Sequence, residues 1–255
     1  PPTPSGLPHP PVPSTKSTEL VMTPFLKSGE KAFVDSNYVE MKCYTPGAEI
    51  RYTIDGTEPS HSSSLYTVPF YIHASTNFKI KAFNTGMETS FTEVASFLKL
   101  PYKRSISYSY PYSHLYTAGG SNGLIDGLHG EPEVFGGWQG FFGDDFEAVI
   151  DLGEPRTFSE ISSTYLQQYL AWIWIPESVV YSISNNGVDF KEVYSEKGNV
   201  ATEAPGSFIH KFNASIPSNT ARYVKITAKN IAKCPPWHPG AGEKAWIFVD
   251  EVVVK

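Results

Sequence analysis

The stretch Glu49-Ile50-Arg51-Tyr52-Thr53-Ile54-Asp55-Gly56 alternates apolar with polar side chains and ends in an Asp-Gly pair. Successive side chains of a β-strand point to opposite faces, so this alternation is typical of a strand with one buried face. Glycine readily adopts positive φ, and Asp55-Gly56 therefore predicts a tight hairpin turn directly after the strand. Residues 39–44 and 78–83 alternate in the same way. We predict a small β-sandwich in this part of the chain.

The second part of the chain shows strand-like segments separated by longer loops. The segments are residues 144–152, 158–166, 179–184, 208–212, 222–228 and 246–254. Asn185-Asn186-Gly187 directly follows one of them and indicates a hairpin turn. Strands of this number with long loops predict a jelly-roll β-sandwich. The fold class predicted for the whole chain is therefore all-β.

Composition restricts the classes of partner. The chain has 255 residues, 14% of them aromatic, with 20 Gly and 21 Pro, which favours a turn-rich all-β protein. Its net charge is −6, so it lacks the basic surface that phosphates require. We therefore expect no nucleic acid partner and no binding to anionic membranes. Only Cys43 and Cys234 are present, far apart in the sequence, and they do not indicate a redox compartment.

The composition along the chain predicts a linker and two domains. Residues 1–16 contain seven prolines together with Ser, Thr and Gly, which is typical of a semi-extended linker. We assign the linker to residues 1–18, the first domain to 19–100 and the second to 101–255. The proline-rich beginning also leads us to expect that the chain is a fragment with a larger domain upstream.

The first domain resembles a known family. The residues that show this are Glu49 to Ser60, spelled Glu-Ile-Arg-Tyr-Thr-Ile-Asp-Gly-Thr-Glu-Pro-Ser, followed by Ser64-Leu65-Tyr66 and Pro69-Phe70. They closely resemble the chitobiase/β-hexosaminidase C-terminal domain. The resemblance implies a fibronectin-III-like sandwich that serves as a spacer or brace.

The second domain resembles the F5/8 type C domains, which are discoidin-like, galactose-binding-like sandwiches and share the fold of family 32 carbohydrate-binding modules. The resemblance rests on these motifs: Gly123-Leu124-Ile125-Asp126-Gly127, Trp138-Gln139-Gly140-Phe141, Glu147-Ala148-Val149-Ile150-Asp151-Leu152-Gly153, Pro176-Glu177-Ser178-Val179, Ser184-Asn185-Asn186-Gly187, Phe190 and Trp246-Ile247-Phe248-Val249-Asp250-Glu251. The two domains in this order are similar to the C-terminal regions of Bacteroidetes family 20 β-N-acetylhexosaminidases.

That resemblance implies a location and a role. The parent would be a glycoside hydrolase that is secreted, periplasmic or on the bacterial cell surface. Its catalytic barrel, with a Gly-Gly-Asp-Glu type motif, is not in this sequence, so we expect this chain to be non-catalytic. The expected partners are glycans of the N-acetylhexosamine or galactose type and the catalytic domain of the same polypeptide.

The resemblance to F5/8 type C domains also implies a structural calcium ion. Calcium takes carboxylate and backbone carbonyl oxygens. Asp126 and Glu251 correspond to the carboxylate ligands of the family, with carbonyls from Gly123, Leu128 and Asp250. Glu131 stands where the family often has Thr, and it is a further candidate ligand. The alternative is a plain Asp-Gly turn and a solvated glutamate.

The candidate ligand-binding residues are aromatic. Sugars present apolar C–H faces, so aromatic rings flanked by a few polar groups form a suitable platform. Trp237 and His238 lie in a Gly- and Pro-rich loop and are predicted to face a ligand. Trp172 and Trp174 have the spacing of residues on one strand face, and one of them is a further candidate.

Two other functions are compatible with the sequence. The chain could be a purely structural tail that packs on the family 20 barrel, with residues 172–176 as the interdomain surface. It could also be an adhesion module for protein or lipid, against which the acidic composition argues.

Overall fold

A computed structural model describes residues 19–255, and the predicted linker at residues 1–18 lies outside these. The described residues form two compact units, the first of residues 19–31 and 36–97, the second of residues 32–35 and 98–255. The all-β prediction is confirmed, since the helices among the described residues are the short 3-10 helices Phe135–Gly137 and Tyr169–Ala171. In this part of the chain no helix could cross a membrane.

The first eight strands are β1 Phe25–Ser28, β2 Ala32–Phe33, β3 Asn37–Lys42, β4 Glu49–Thr53, β5 Ser64–Leu65, β6 Phe70–Ile72, β7 Thr76–Phe83 and β8 Glu93–Lys99. The first unit contains two antiparallel sheets, one of order β1-β3-β6 and one of order β8-β7-β4-β5. β2 is parallel to the last residues of β8, and this short pairing belongs to the second unit.

The two sheets of the first unit pack face to face. Phe70 on β6 contacts Tyr52 on β4 and Phe78 on β7, with ring centroids 5.7 and 6.1 Å apart. Val39 and Met41 of β3 are buried beside them, while the intervening residues of β3 are more exposed. The period-two pattern of the sequence therefore does mark a strand with one face in a sandwich core.

The turn after β4 is longer than the sequence indicated. Gly56 does have positive φ, at 83°, and the Asp55 side chain accepts a hydrogen bond from the backbone N–H of Thr57. This closes a local Asx turn. The next strand, β5, begins only at Ser64, so the connection is a loop of residues 54–63 rather than a two-residue hairpin.

The second unit contains the remaining strands: β9 Ser105–Tyr108, β10 Gln139–Phe142, β11 Phe146–Gln167, β12 Ser178–Ser184, β13 Lys191–Lys197, β14 Phe208–Lys229 and β15 Trp246–Val254. The sequence predicted separate strands at residues 144–152 and 158–166, but these form one continuous strand, β11. The segments predicted at residues 208–212 and 222–228 likewise form one strand, β14. Each of the two strands has 22 residues. The predicted hairpin at residues 185–187 is present, joining antiparallel β12 and β13.

β11 and β14 run through both layers of a sandwich. The first half of β11 lies between β9 and the second half of β14, which continues the layer through β12 to β13. The second half of β11 lies between the first half of β14 and β15, with β10 at the edge. One hydrophobic core contains buried residues of both layers, among them Ile150, Tyr165, Tyr181, Phe212 and Val249.

The two halves of β11 meet at a bend. The register with β14 shifts between Asp151 and Arg156, and Gly153 within the bend has a φ of 83°. Asp151 accepts the backbone N–H of Gly153 and two hydrogen bonds of 2.9 Å from Arg222 on β14. The Arg222 guanidinium holds the pKa of the Asp151 carboxyl below its usual range. The bend is thus fixed by a bidentate ion pair.

Candidate functional site

The loop before β10 is attached to the sandwich close to the predicted calcium ligands. The backbone N–H of Val252 on β15 donates to the carbonyl of Leu124 over 2.8 Å. Arg104 Nε donates to the carbonyl of Ile125, also over 2.8 Å. These contacts bring Asp126, on the loop, next to Asp250 and Glu251, on β15.

Glu251 is buried, with 1% of its surface exposed. Its Oε1 accepts the backbone N–H of Gly127 over 2.9 Å and lies 3.4 Å from an Nη of Arg104. Within the described residues its Oε2 is buried without a hydrogen-bond partner. Burial raises the pKa of Glu251 to about 8, although the hydrogen bond from Gly127 and the charge of Arg104 each act to lower it. A buried carboxylate oxygen that lacks a donor is costly, and a cation would remove that cost.

Asp250 is also buried, but both of its oxygens are already satisfied. Oδ1 accepts the backbone N–H of Gly130 over 3.2 Å, and Oδ2 lies 3.0 Å from Nδ1 of His129. Burial raises the pKa of Asp250. Its carboxylate therefore holds the loop in place, and the resemblance assigns the ligand role of Asp250 to its backbone carbonyl instead.

Asp126 lies at the turn that the sequence marked. Its Oδ1 accepts the backbone N–H of Leu128 over 2.8 Å, and the side chain is only half-buried. Burial and the charge of Asp250 raise its pKa. The structure therefore brings Asp126, Asp250 and Glu251 together, with the backbone of Gly123 and Leu128 in the same loop.

Glu131 is placed differently from these residues. It is exposed, and its carbonyl accepts Trp138 Nε1 over 2.9 Å and the backbone N–H of Val134 over 3.1 Å. It therefore adds neither a free carbonyl nor a buried carboxylate. Among residues 19–255 no three His, Cys, Asp or Glu side chains are arranged as a metal centre. A cation at Asp126 and Glu251 would take most of its ligands from backbone carbonyls.

A second candidate site is the aromatic loop cluster, which we define as Tyr169, Trp172, Trp174, Trp237 and His238. His238 is at its centre, with ring centroids of the other four 5.2 to 6.3 Å away. Trp237 also contacts Tyr169 edge to face at 5.5 Å. Edge-to-face packing of this kind is favourable and fixes ring orientation.

His238 holds two chain segments together rather than facing solvent. It is 4% exposed, which corrects its assignment as a ligand-facing residue. Its Nδ1 accepts the backbone N–H of Gly240, so Nε2 carries the proton and donates to the carbonyl of Tyr169, both over 3.0 Å. A polar ring in this loop is buried because both of its nitrogens find backbone partners.

The two tryptophans at 172 and 174 are not on a strand. Trp172 has φ 64°, at the end of the 3-10 helix Tyr169–Ala171, so the period-two argument does not apply. Trp174 is 1% exposed and its indole N–H donates to the carbonyl of Thr202, which corrects its assignment as a ligand-facing ring. Trp172 is half-buried, and a Cβ on Gly240 would lie 2.7 Å from its ring. Of the predicted interdomain surface at residues 172–176, residues 173–176 are buried within the second unit, and Trp172 is half-buried, so this segment offers little surface to another domain.

Trp237 is the member of the aromatic loop cluster with the most open ring, at 44% exposure. Beside the contacted Tyr169, Leu170 is 76% exposed at the tip of the 3-10 helix. Sequence reasoning did not single out Tyr169 or Leu170. The sequence feature that could have identified them is the run of aromatic and aliphatic residues directly after β11, where the alternation of apolar and polar residues ends.

We expect His238→Ala to destabilise the second unit by about 2 kcal/mol, because it removes two buried hydrogen bonds and the centre of the aromatic loop cluster. Denaturant unfolding followed by tryptophan fluorescence measures this loss. His114→Ala, at an exposed position, is the control and should change stability by less than about 0.5 kcal/mol. Equal effects of the two variants would show that His238 does not hold the loop.

Residues 27–95 match the family described as the chitobiase/β-hexosaminidase C-terminal domain. None of the curated protein sequences matches the chain. Apart from residues 32–35, the matched segment lies within the first unit.

Solved structures with similarity to the chain include carbohydrate-active proteins. A Ruminococcus gnavus GH29 fucosidase mutant in complex with fucose has 17% identity and a TM-score of 0.40, over 59% of this chain and 24% of that chain. The CBM32 of AlyQ in complex with 4,5-unsaturated mannuronic acid has 17% identity and a TM-score of 0.37, over 60% and 96%. CpGH89CBM32-5 from Clostridium perfringens, in complex with GalNAc-β-1,3-galactose, has 14% identity and a TM-score of 0.36, over 60% and 93%. The part of the fucosidase that the chain matches is about a quarter of the length of that protein, 24%.

Proposed function

We propose that this chain is a non-catalytic accessory region of a glycoside hydrolase, and that its second unit binds glycans through Trp237. The observation that supports this most directly is an exposed indole on a rigid support. Trp237 is 44% exposed, yet it packs against Tyr169 and His238. A ring fixed in this way loses little freedom when a ligand stacks on it.

The chemistry of the surface suits a neutral sugar. The apolar C–H face of a pyranose stacks on an aromatic ring, while its hydroxyl groups hydrogen-bond to polar groups at the rim. The net charge of −6 disfavours a polyanionic ligand. Among neutral sugars we place N-acetylhexosamine- or galactose-terminated glycans first, because the resemblance to F5/8 type C domains and hexosaminidase C-terminal regions implies them.

Calcium is part of the proposal. Asp126 and Glu251 would supply carboxylate oxygens, and Gly123, Leu128 and Asp250 would supply carbonyls. The support is Glu251 Oε2, which is buried without a donor among the described residues. The ion would neutralise the buried carboxylates and join the loop to β15.

The proposed partner is a catalytic domain on the same polypeptide, secreted or at the cell surface, of the family 20 β-N-acetylhexosaminidase type. The match of residues 27–95 to a chitobiase/β-hexosaminidase C-terminal domain supports this. A tethered binding module raises the local concentration of substrate near the catalytic domain, so each sugar contact can be weak.

Calorimetric titration of the chain in calcium buffer tests the proposal, with GlcNAc, GalNAc, galactose and chitobiose as ligands. We expect saturable heat with at least one sugar and a loss of affinity of about tenfold or more in Trp237→Ala. Val188→Ala, at another exposed apolar position of the second unit, should bind like the unmodified chain.

If the folded protein gives no binding heat with any of the four sugars at millimolar concentration, binding of these sugars is excluded. The structural tail that packs on a catalytic barrel would then be the better explanation. Binding that survives Trp237→Ala would show that the site of these sugars is not at Trp237.

A further inference from the structure

The outer face of the sheet β1-β3-β6, in the first unit, carries three aromatic residues, and Tyr44, just after β3, packs against one of them. Antiparallel partners lie on the same face, and Tyr38 is paired with Tyr71 while Lys42 is paired with Phe25. Tyr38 and Tyr71 contact each other at 5.5 Å, and Phe25 contacts Tyr44 at 5.1 Å. We call these two ring pairs and the residues between them the tyrosine face.

Three of the four rings of the tyrosine face are open to solvent, while Phe25 is half-buried. Tyr38, Tyr71 and Tyr44 are 38%, 61% and 71% exposed. Exposed rings that support one another in pairs keep a fixed orientation, as binding surfaces require. The opposite outer face of this unit is different, since Lys79 and Lys81 there form ion pairs with Glu58.

The middle of the tyrosine face is charged. Glu40 and Lys42 form an ion pair of 3.0 Å, and Lys27 is the strand partner of Glu40. The centres of protein–protein interfaces are depleted of Lys and Glu, so this arrangement does not suit a protein partner. It does suit a ligand that alternates apolar faces with many hydroxyl groups.

The spacing indicates an extended ligand. Tyr38 and Lys42, the strand partner of Phe25, are four residues apart on β3, and at the strand rise of about 3.3 Å per residue these two positions are separated by about 13 Å. We propose that the tyrosine face binds an extended, uncharged glycan chain, whose sugars stack on the two ring pairs and hydrogen-bond to Glu40, Lys42 and Lys27 between them. This site is independent of Trp237 and lies in the other unit.

Native electrophoresis of the chain through gels that contain a soluble polysaccharide tests this proposal. The probes are glycol chitin, hydroxyethyl cellulose and galactomannan, with polygalacturonate as a charged polymer. All proteins carry Trp237→Ala, so that the result does not depend on the site in the second unit. We expect retardation by at least one neutral polymer, and an affinity about tenfold weaker after Tyr44→Ala and Tyr71→Ala together.

Phe91→Ala is the matched control, because Phe91 is an aromatic residue of the same unit with 70% exposure. It should leave the retardation unchanged, and circular dichroism should show that all variants are folded. Equal retardation of the tyrosine variant and the control, retardation by polygalacturonate alone, or no retardation in any gel would overturn the proposal. Sedimentation velocity that shows self-association lost with the tyrosines, without retardation, would assign the face to a second copy of the chain and also overturn it.

Discussion

Calcium is expected to raise the unfolding temperature of the second unit by about 5–10 °C, because an ion that binds only the folded state at 100 times its Kd adds about 2.7 kcal/mol. The physical reason is the buried Glu251 carboxylate, whose Oε2 lacks a hydrogen-bond donor among the described residues. Without a cation the folded state must keep this group protonated or bear the cost of its charge.

Tryptophan fluorescence during thermal unfolding reports the second unit alone, since Trp138, Trp172, Trp174, Trp237 and Trp246 all lie in it. The protein is first treated with a chelator, and calcium or magnesium is then added. We expect Glu251→Gln to fold without the ion and to lose the calcium response, because the amide neither ionises nor ligates strongly. An equal response in this variant would place the ion elsewhere.

The calcium effect should also depend on pH. The pKa of Glu251 is raised to about 8 in the folded state, from an ordinary value of 4.5. Between these two values the folded protein binds more protons than the unfolded chain, so the metal-free stability falls as pH rises from about 4.5 to 8. Calcium binds the ionised carboxylate, and its stabilising effect should therefore be larger at pH 8 than at pH 6. A calcium response that is constant with pH would contradict the assignment to Glu251.

Gly123→Ala is expected to destabilise the second unit by about 3 kcal/mol or more, the upper range for overpacking. A Cβ at Gly123 would lie 1.9 Å from the backbone oxygen of Ala118. Neither atom belongs to a flexible side chain, so relief requires the loop itself to move. Because this loop also holds Asp126, the calcium response should weaken together with stability.

Gly136→Ala provides the matched control for this variant. A Cβ at Gly136 would meet no atom within 4 Å, and the residue does not have positive φ. Chemical denaturation of the two variants should separate them, with Gly136→Ala within about 0.5 kcal/mol of the unmodified chain. A Gly123→Ala protein of unchanged stability would show that the loop is not packed against Ala118.

Several strands could be predicted because the alternation of apolar and polar side chains along them is sufficient to identify a strand. The bounds of β15 agree with the predicted segment 246–254, and β4 and β7 were anticipated from alternating residues. The continuity of β11 was not, because the bend at Gly153 interrupts the alternation although the strand continues. Short strands such as β5 and β6 carry too few residues for a period to be visible.

The candidate calcium ligands could be named from the resemblance to F5/8 type C domains, whereas the aromatic ligand-binding residues were predicted from local sequence alone. The acidic pair on β15 stood out because a carboxylate is costly to bury, Asp126 followed from the resemblance, and the structure places the three residues close together. The burial of His238 and Trp174 was not visible, since it depends on backbone partners from Tyr169 and Thr202 that are remote in sequence. Spacing of two suggested a strand at Trp172, where a left-handed residue actually ends a helical turn.

The passage of β11 and β14 through both layers has a mechanical consequence. A sandwich whose layers are joined only by loops can be pulled apart one sheet at a time. Here the same two strands belong to both sheets, so tension applied to one layer is transmitted along a continuous backbone into the other. The second unit should therefore yield to force in a single step, and the loops at its ends keep their arrangement until that step.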